Sequence, residues 1–241
     1  MALNTLRIDR FISQQLNISR RSVRLLLAQR RVEVDGNKIS DIGFIVDHFS
    51  HITVDDQVLQ ANTAYYIMLN KPTGVVSATT DKVHKTVIEL LTGLDEEIKT
   101  QLHLVGRLDL NTSGLVLLTN DSRWSEALTS PVHKIPKQYT VTLQNQLSTE
   151  YISAFAQGMV FEYENITTLP AILTIISSHK AEVTLFEGKY HQIKRMFGRF
   201  QNKVISLHRH QVGGLALDNT LKEGEYRFLT QSEVEEIFIP I

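Results

Sequence analysis

The 241-residue sequence has no cysteine, only five prolines, a single tryptophan and almost no net charge. Without Cys there can be no disulfide, thiolate nucleophile, haem attachment or Cys-based zinc or iron–sulfur site. That absence also fits a reducing compartment. No apolar run approaches the roughly 18 residues of a membrane helix, and Met1–Arg10 has no signal-peptide core. A soluble, cytoplasmic protein with no membrane partner is expected. With 42% hydrophobic and 21% charged residues, the chain has enough apolar material for real cores, and disorder is not its dominant state.

A net charge of −1, from 25 Lys+Arg against 26 Asp+Glu, argues at first against a nucleic-acid partner. Its distribution reverses that impression. Residues 1–40 carry eight Lys/Arg and three Asp/Glu, and residues 180–210 carry seven and two. Each segment is therefore +5, and the remaining 170 residues sum to −11. The acidic remainder is expected to face away from an RNA partner.

Residues 1–60 read as a small helical–strand module. Ile8, Phe11, Ile12 and Leu16 follow helical spacing until Asn17 interrupts it. Ser19 is a candidate N-cap for a second helix carrying Val23, Leu26 and Leu27. Arg20, Arg21 and Arg24 share an arc of that helix away from its apolar residues. Val32–Gly36 reads as a strand entering a tight Asp-Gly turn, His51–Val54 as the returning strand, and Gln57–Thr63 as a polar linker. A cationic helix face is commonly just solvated. Here the module also resembles the S4 RNA-binding domain, through Arg7-Ile8-Asp9, Ser19-Arg20-Arg21, Val23, Arg31-Val32 and Val34-Asp35-Gly36. The resemblance implies that Arg20, Arg21, Arg24 and Arg31 contact RNA.

Residues 61–241 have a different texture. Strands are expected at Tyr65–Leu69, His103–Leu108, Gly114–Thr119, Gln138–Leu143, Ala171–Ile176, Ala181–Phe186 and Val204–His208. Helices are expected at Thr86–Leu91, Asp121–Leu128, Thr149–Ala156, Tyr190–Phe200 and Gln231–Phe238, the last opened by a Thr230–Glu233 capping box. Dense strands without regular βα alternation predict an α+β fold, with a mainly antiparallel mixed sheet flanked by helices.

The chemistry concentrates in Gly106-Arg107-Leu108-Asp109-Leu110-Asn111-Thr112-Ser113-Gly114, which runs into Leu115–Asp121. An apolar strand ends at an Arg and an Asp, a polar turn follows, and a second apolar strand begins. Asp109 then either caps the turn or stands as a rigidly held carboxylate at the mouth of a cleft, and local pattern leaves both open. This stretch resembles the signature of the RNA pseudouridine synthases that include the RsuA-type and RluA-type enzymes. Three further segments agree in order and spacing: Asn70-Lys71-Pro72-Thr73-Gly74, Lys137-Gln138-Tyr139, and Glu187–Phe197 with its Tyr190-His191-Gln192-Ile193-Lys194-Arg195-Met196-Phe197 core.

The resemblance implies a reaction in which the uridine N-glycosidic bond breaks, the base rotates, and ribose C1′ rejoins at C5. Such an isomerisation is redox-neutral, so no cofactor is expected. It implies catalytic Asp109, as nucleophile or as base at the sugar. Tyr139 would stack on the base, and Lys194 would pair with Asp109 and keep it ionised. Without the resemblance, Tyr139 reads as a core tyrosine and Lys194 as a solvated charge. Arg107 would fill the space left by an extruded base or contact backbone, and Lys71, Arg195 and Arg209 join the RNA-contacting candidates. His208 and His210 share a strand face, but with no carboxylate at ligand spacing no metal is expected.

The S4-like module, the spelling of the Tyr190–Phe197 motif, Leu207-His208-Arg209 and Val212-Gly213-Gly214-Leu215 point to the RsuA-type branch. That branch implies 16S rRNA or a small-subunit assembly intermediate as partner, uridine 516 as target, and a monomeric enzyme. His191 and Lys194 replace the Arg-rich spelling common in large-subunit relatives. A 23S rRNA synthase and a non-catalytic S4-type RNA-binding or assembly factor are the alternatives.

Overall fold

The computed structural model describes residues 5–239 and divides between Ala64 and Tyr65 into two compact units. The first contains β1 (Leu6–Arg7), α1 (Ile8–Gln15), α2 (Arg20–Ala28), β2 (Val32–Val34), β3 (Asn37–Ile39), β4 (Ile45–Val46), β5 (Ile52–Val54) and β6 (Gln57–Gln60). Ile8, Phe11 and Ile12 of α1 and Val23 and Leu27 of α2 bury together against Val32, Val34, Val46, Ile52 and Val54. Ser19 caps α2, its hydroxyl accepting the Ser22 N–H at 3.1 Å. Asp35 and Gly36 both take positive φ, the geometry of a two-residue hairpin turn.

Two expectations for this unit change. The strand returning from the Asp35-Gly36 turn is β3, while β5 pairs with the opposite edge of β2 in a sheet ordered β3-β2-β5-β6. The expected linker also begins with a strand, because Gln57–Gln60 completes that sheet and Leu59 packs on its core. Few apolar residues are needed for an edge strand whose ladder supplies the hydrogen bonds, so polarity alone read as linker.

The second unit follows with β7 (Tyr66–Lys71), α3 (Glu96–Gln101), β8 (His103–Val105), β9 (Ser113–Thr119), α4 (Ser122–Thr129), β10 (Lys137–Leu143), α5 (Glu150–Gln157), β11 (Val160–Phe161), β12 (Ile166–Thr167), β13 (Ile172–Ser177), β14 (Lys180–Leu185), α6 (Gln192–Gly198), β15 (Val204–Val212), β16 (Leu215–Ala216), β17 (Tyr226–Phe228) and α7 (Gln231–Glu236). Nine strands form one sheet, ordered β13-β14-β10-β15-β9-β7-β17, with β16 on β15 and β8 on β9. All its ladders are antiparallel except β9–β15. The fold is α+β with a mixed, mainly antiparallel sheet and flanking helices. The expected helix at Thr86–Leu91 is only a 3-10 turn at Ile88–Leu90, because Thr86 bridges to Val76 in extended conformation. The unpredicted α3 starts where the Asp95 carboxylate accepts the Glu97 N–H. No helix among the described residues is long and apolar enough to cross a membrane.

Strand β9 explains the position of the site. Val116 and Leu118 enter the core on one face of the sheet, and Leu115 and Leu117 enter the core on the other. A strand buried on both faces reads as a continuous apolar run, as residues 115–118 do. One edge of β9 pairs with β7. The other is shared between β8, near Leu117–Thr119, and β15, at Ser113 and Gly114. The 106–112 connection emerges where these two neighbours meet. Gly114 has φ +107°, and a Cβ there would lie 2.2 Å from the Arg209 carbonyl oxygen. Only glycine lets β9 and β15 close beneath that loop.

Candidate active site

Asp109 stands in the β8–β9 connection, in a cleft of about 620 Å³ lined also by Arg107, Lys137, Tyr139, Tyr190, His191 and Arg209. The Asp109 side chain is 27% exposed, so it is shielded yet reachable. Lys194 Nζ donates to Asp109 Oδ2 at 2.8 Å. His191 Nε2 lies 3.5 Å from the other carboxylate oxygen. Sequence brings Lys194 here through helix periodicity. Ile193, Met196 and Phe197 are buried in the core and dock α6, while Lys194 borders that stripe and leans toward the cleft. Tyr139 is 9% exposed on β10 and forms part of the cleft wall.

The loop bearing Asp109 is fixed from beneath. Ser77 brackets Leu108, its hydroxyl donating to the Leu108 carbonyl at 2.8 Å and accepting the Leu108 N–H at 3.0 Å. The Gly74 N–H donates to the Leu110 carbonyl at 2.9 Å. Lys71, fully buried, donates to the carbonyls of Pro72 at 2.9 Å and Thr112 at 2.7 Å, with Leu110 O at 3.4 Å. Burial pulls the Lys71 ammonium down to about 8, against the opposing attraction of the Asp109 carboxylate. On the far side of the cleft, Gln192 braces the turn before α6. Its side chain donates to Glu187 at 2.8 Å and accepts the Lys189 N–H at 3.0 Å.

The structure redistributes the expected RNA contacts. Lys71 cannot reach phosphate, because its whole side chain lies under the Asp109 loop. Arg209 is 4% exposed and donates through Nε to the Leu115 carbonyl at 2.8 Å, so it supports β9 from the cleft wall. Arg195 binds Glu164 and lies 3.7 Å over the Phe161 ring, and Arg199 pairs with Glu162 at 3.0 Å. Part of the acidic remainder thus neutralises the basic helix and does not turn away from it. Arg31 is held by Asp55 and, at 3.1 Å, donates to Gln29. By contrast Arg20, Arg21 and Arg24 are exposed on α2, and Arg107 is exposed at the cleft rim.

Several residues of the site carried little signal in sequence. Ser77 lies in an unpatterned segment, and its bracket on Leu108 is a contact across 31 positions. His191 stood out only as a variant spelling, yet it reaches Asp109. Its left-handed backbone (φ 51°) just before α6 aims the ring there. Lys137, by contrast, was already marked by the Lys137-Gln138-Tyr139 match; on the same strand face as Tyr139, it is pulled down to about 8 by burial and by the neighbouring Arg209 charge.

A pH dependence follows from Lys71. Its folded value near 8 lies below the ordinary 10.5, so the unfolded chain holds more protons between those values. Stability contributed by this group therefore rises from about pH 8 toward 10.5, and below 8 the burial cost is complete. Lys71→Met should flatten the rise in urea-unfolding free energy between pH 8 and 10 relative to the native chain. It should also slow turnover by loosening the Asp109 loop. An identical pH slope in the variant would contradict the assignment.

Comparison with known proteins places this geometry in a family. The model of the RNA pseudouridylate synthase family matches residues 65–198, and that of the S4 domain matches residues 6–52. The chain is 44% identical over 230 residues to the ribosomal small subunit pseudouridine synthase A of Pseudomonas aeruginosa, covering 95% of this chain and 99% of that one. It is 40% identical over 233 residues to the protein of the same name from Escherichia coli, covering 96% and 100%. A solved structure described as a pseudouridylate synthase superposes with TM-score 0.69 at 38% identity, covering 96% of this chain and 99% of its own. With matches this extensive across both units, the chain belongs to the RNA pseudouridine synthase family of isomerases, among the RsuA-type members that carry an S4 domain.

Proposed function

We propose that this protein isomerises a uridine of small-subunit ribosomal RNA, uridine 516 of 16S rRNA, to pseudouridine in the cytoplasm, with Asp109 as the reacting carboxylate. The observation that carries this reading is the Asp109–Lys194 ion pair at the base of a cleft walled by Tyr139 and rimmed by Arg107. The full-length similarity to small-subunit enzymes supports the choice of RNA.

A uridine stacked in folded RNA cannot deliver its sugar to a carboxylate recessed in such a cleft, so the nucleotide must be extruded first. Arg107, exposed at the rim, is suited to fill the vacated stack or hold the displaced backbone. With Oδ2 held by Lys194, the other oxygen of Asp109 is directed at the ribose. There it either attacks C1′, to be displaced again when C5 bonds to that carbon, or removes the C2′ proton, which it returns as C5 bonds to C1′. The N1–C1′ bond breaks with its electron pair left on the base, the base turns, and C5 bonds to C1′. A proton then leaves C5 and one is gained at N1, which balances the isomerisation without oxidant or reductant. The Tyr139 ring holds the base in plane while it turns. The Asp109 loop stays in register during these steps because Ser77, Gly74 and Lys71 fix its backbone.

Incubation with 16S and 23S transcripts, each alone and with ribosomal proteins, followed by pseudouridine mapping, tests the reading. Modification at position 516 of 16S rRNA is expected, and modification confined to 23S rRNA would overturn the substrate. Asp109→Asn should abolish product while leaving RNA affinity within a few-fold of native, and undiminished turnover by it would refute the catalytic role.

The S4-like unit supplies a separate prediction. Arg20, Arg21 and Arg24 form an exposed cationic face on α2, suited to phosphate. Replacing all three with Gln should weaken RNA binding and flatten its log–log salt dependence, by a slope of up to about one for each phosphate no longer neutralised. An unchanged slope would mean that the face is only solvated.

A further inference from the structure

Tyr190 is an aromatic side chain left 75% exposed beside the candidate active site. Its ring lies parallel to that of His191, with centroids 3.9 Å apart and planes at 19°. His191 is itself fixed by its left-handed backbone and by its approach to Asp109. The turn beneath is braced by the Gln192 bonds to Glu187 and Lys189. One ring face is thus backed by a held imidazole while the side chain remains largely open, in a cleft that also holds Arg107, Lys137 and Asp109. Tyr163 is still more exposed, at 97%, but it lines neither this cleft nor any ring stack among the described residues. Exposure alone therefore does not account for the arrangement at Tyr190.

We propose that the Tyr190–His191 stack is a platform for an unstacked nucleobase of the RNA strand, the one flanking the target uridine. The inference rests on the proposed RNA substrate and extends it, since Tyr139 serves the reacting base and Tyr190 its neighbour. An exposed aromatic face within a cation-lined cleft matches single-stranded RNA, whose splayed bases stack on aromatic rings while the backbone follows positive charge. Backing by His191 keeps the ring in place before RNA arrives, so less conformational freedom is lost on binding. Stacking also tolerates any base, so the platform would hold the strand without reading its sequence.

The test uses the full chain and short single-stranded RNAs carrying one uridine, with 2-aminopurine placed on its 5′ or its 3′ side. The native protein should quench the probe in at least one of the two positions. Tyr190→Ala should lose that quenching and weaken binding roughly 5- to 150-fold, the range for removal of one base–aromatic stack. Tyr190→Phe and Tyr190→Trp should retain both, and Tyr163→Ala should behave as native. Thermal unfolding of each variant should match the native chain, since the replaced side chains are exposed. On unmodified small-subunit ribosomal RNA as substrate, Tyr190→Ala should raise KM with little change in kcat. Equal quenching and affinity in native protein and Tyr190→Ala would overturn the platform, as would a Tyr190→Phe defect as large as that of Ala, which would point to the hydroxyl. If small-subunit RNA is not modified but Tyr190-dependent quenching persists, the substrate assignment fails and the platform stands. Normal modification with Tyr190-independent binding gives the reverse.

Discussion

The ion pair between Asp109 and Lys194 is the constraint around which the larger unit is arranged. A carboxylate drawn out of water needs a partner, and here the partner comes from a helix 85 residues further along the chain. The pair forms only where two segments distant in sequence meet within one compact unit. One is the β8–β9 connection, placed where β8 and β15 share the edge of β9. The other is α6, docked through Ile193, Met196 and Phe197. Displacement of either would leave a partly shielded charge without its counterpart.

Around that pair the protein uses buried cations as scaffolding. Lys71 gathers carbonyls of the Asp109 loop and of the chain entering it, and Arg209 holds the Leu115 carbonyl of β9. Both set loop and strand geometry from inside the fold. The cations closer to solvent divide into two kinds. Arg195, Arg199 and Arg31 are matched by Glu164, Glu162 and Asp55. Arg107, Arg20, Arg21 and Arg24 remain on the surface. Local pairing thus removes some basic side chains from the free surface while leaving the α2 arginines and Arg107 exposed.

Much of this was legible in the sequence, and what was not shares a cause. The apolar run after Gly114 identified the strand β9, while its burial on both faces and the close backbone approach at Gly114 emerge only in the fold. The motif around Asp109 pointed to Tyr139 and Lys194, which the fold brings to the same cleft. Hydrophobic periodicity also located α6. What the sequence hid were interactions made across long separations. Nothing local distinguishes Lys71, fully enclosed by carbonyls, from a lysine on the surface. The partners of Arg195 and Arg199 lie on a short excursion between β11 and β12, and Ser77 meets Leu108 across an irregular segment. The edge strand Gln57–Gln60 looked like linker for the same reason, since its stability comes from β5 and not from its own composition.

The most direct test of this account is the single-turnover rate of pseudouridine formation by Lys194→Met and Lys194→Arg, measured beside RNA affinity. If the ion pair organises the reacting carboxylate, Lys194→Met should lose at least about 100-fold in rate, of the order expected for a group acting in the transition state. Its RNA affinity should stay within a few-fold of native. Lys194→Arg, which keeps the charge, should recover a substantial part of the rate. A Lys194→Met protein that turns over at the native rate would contradict the central claim.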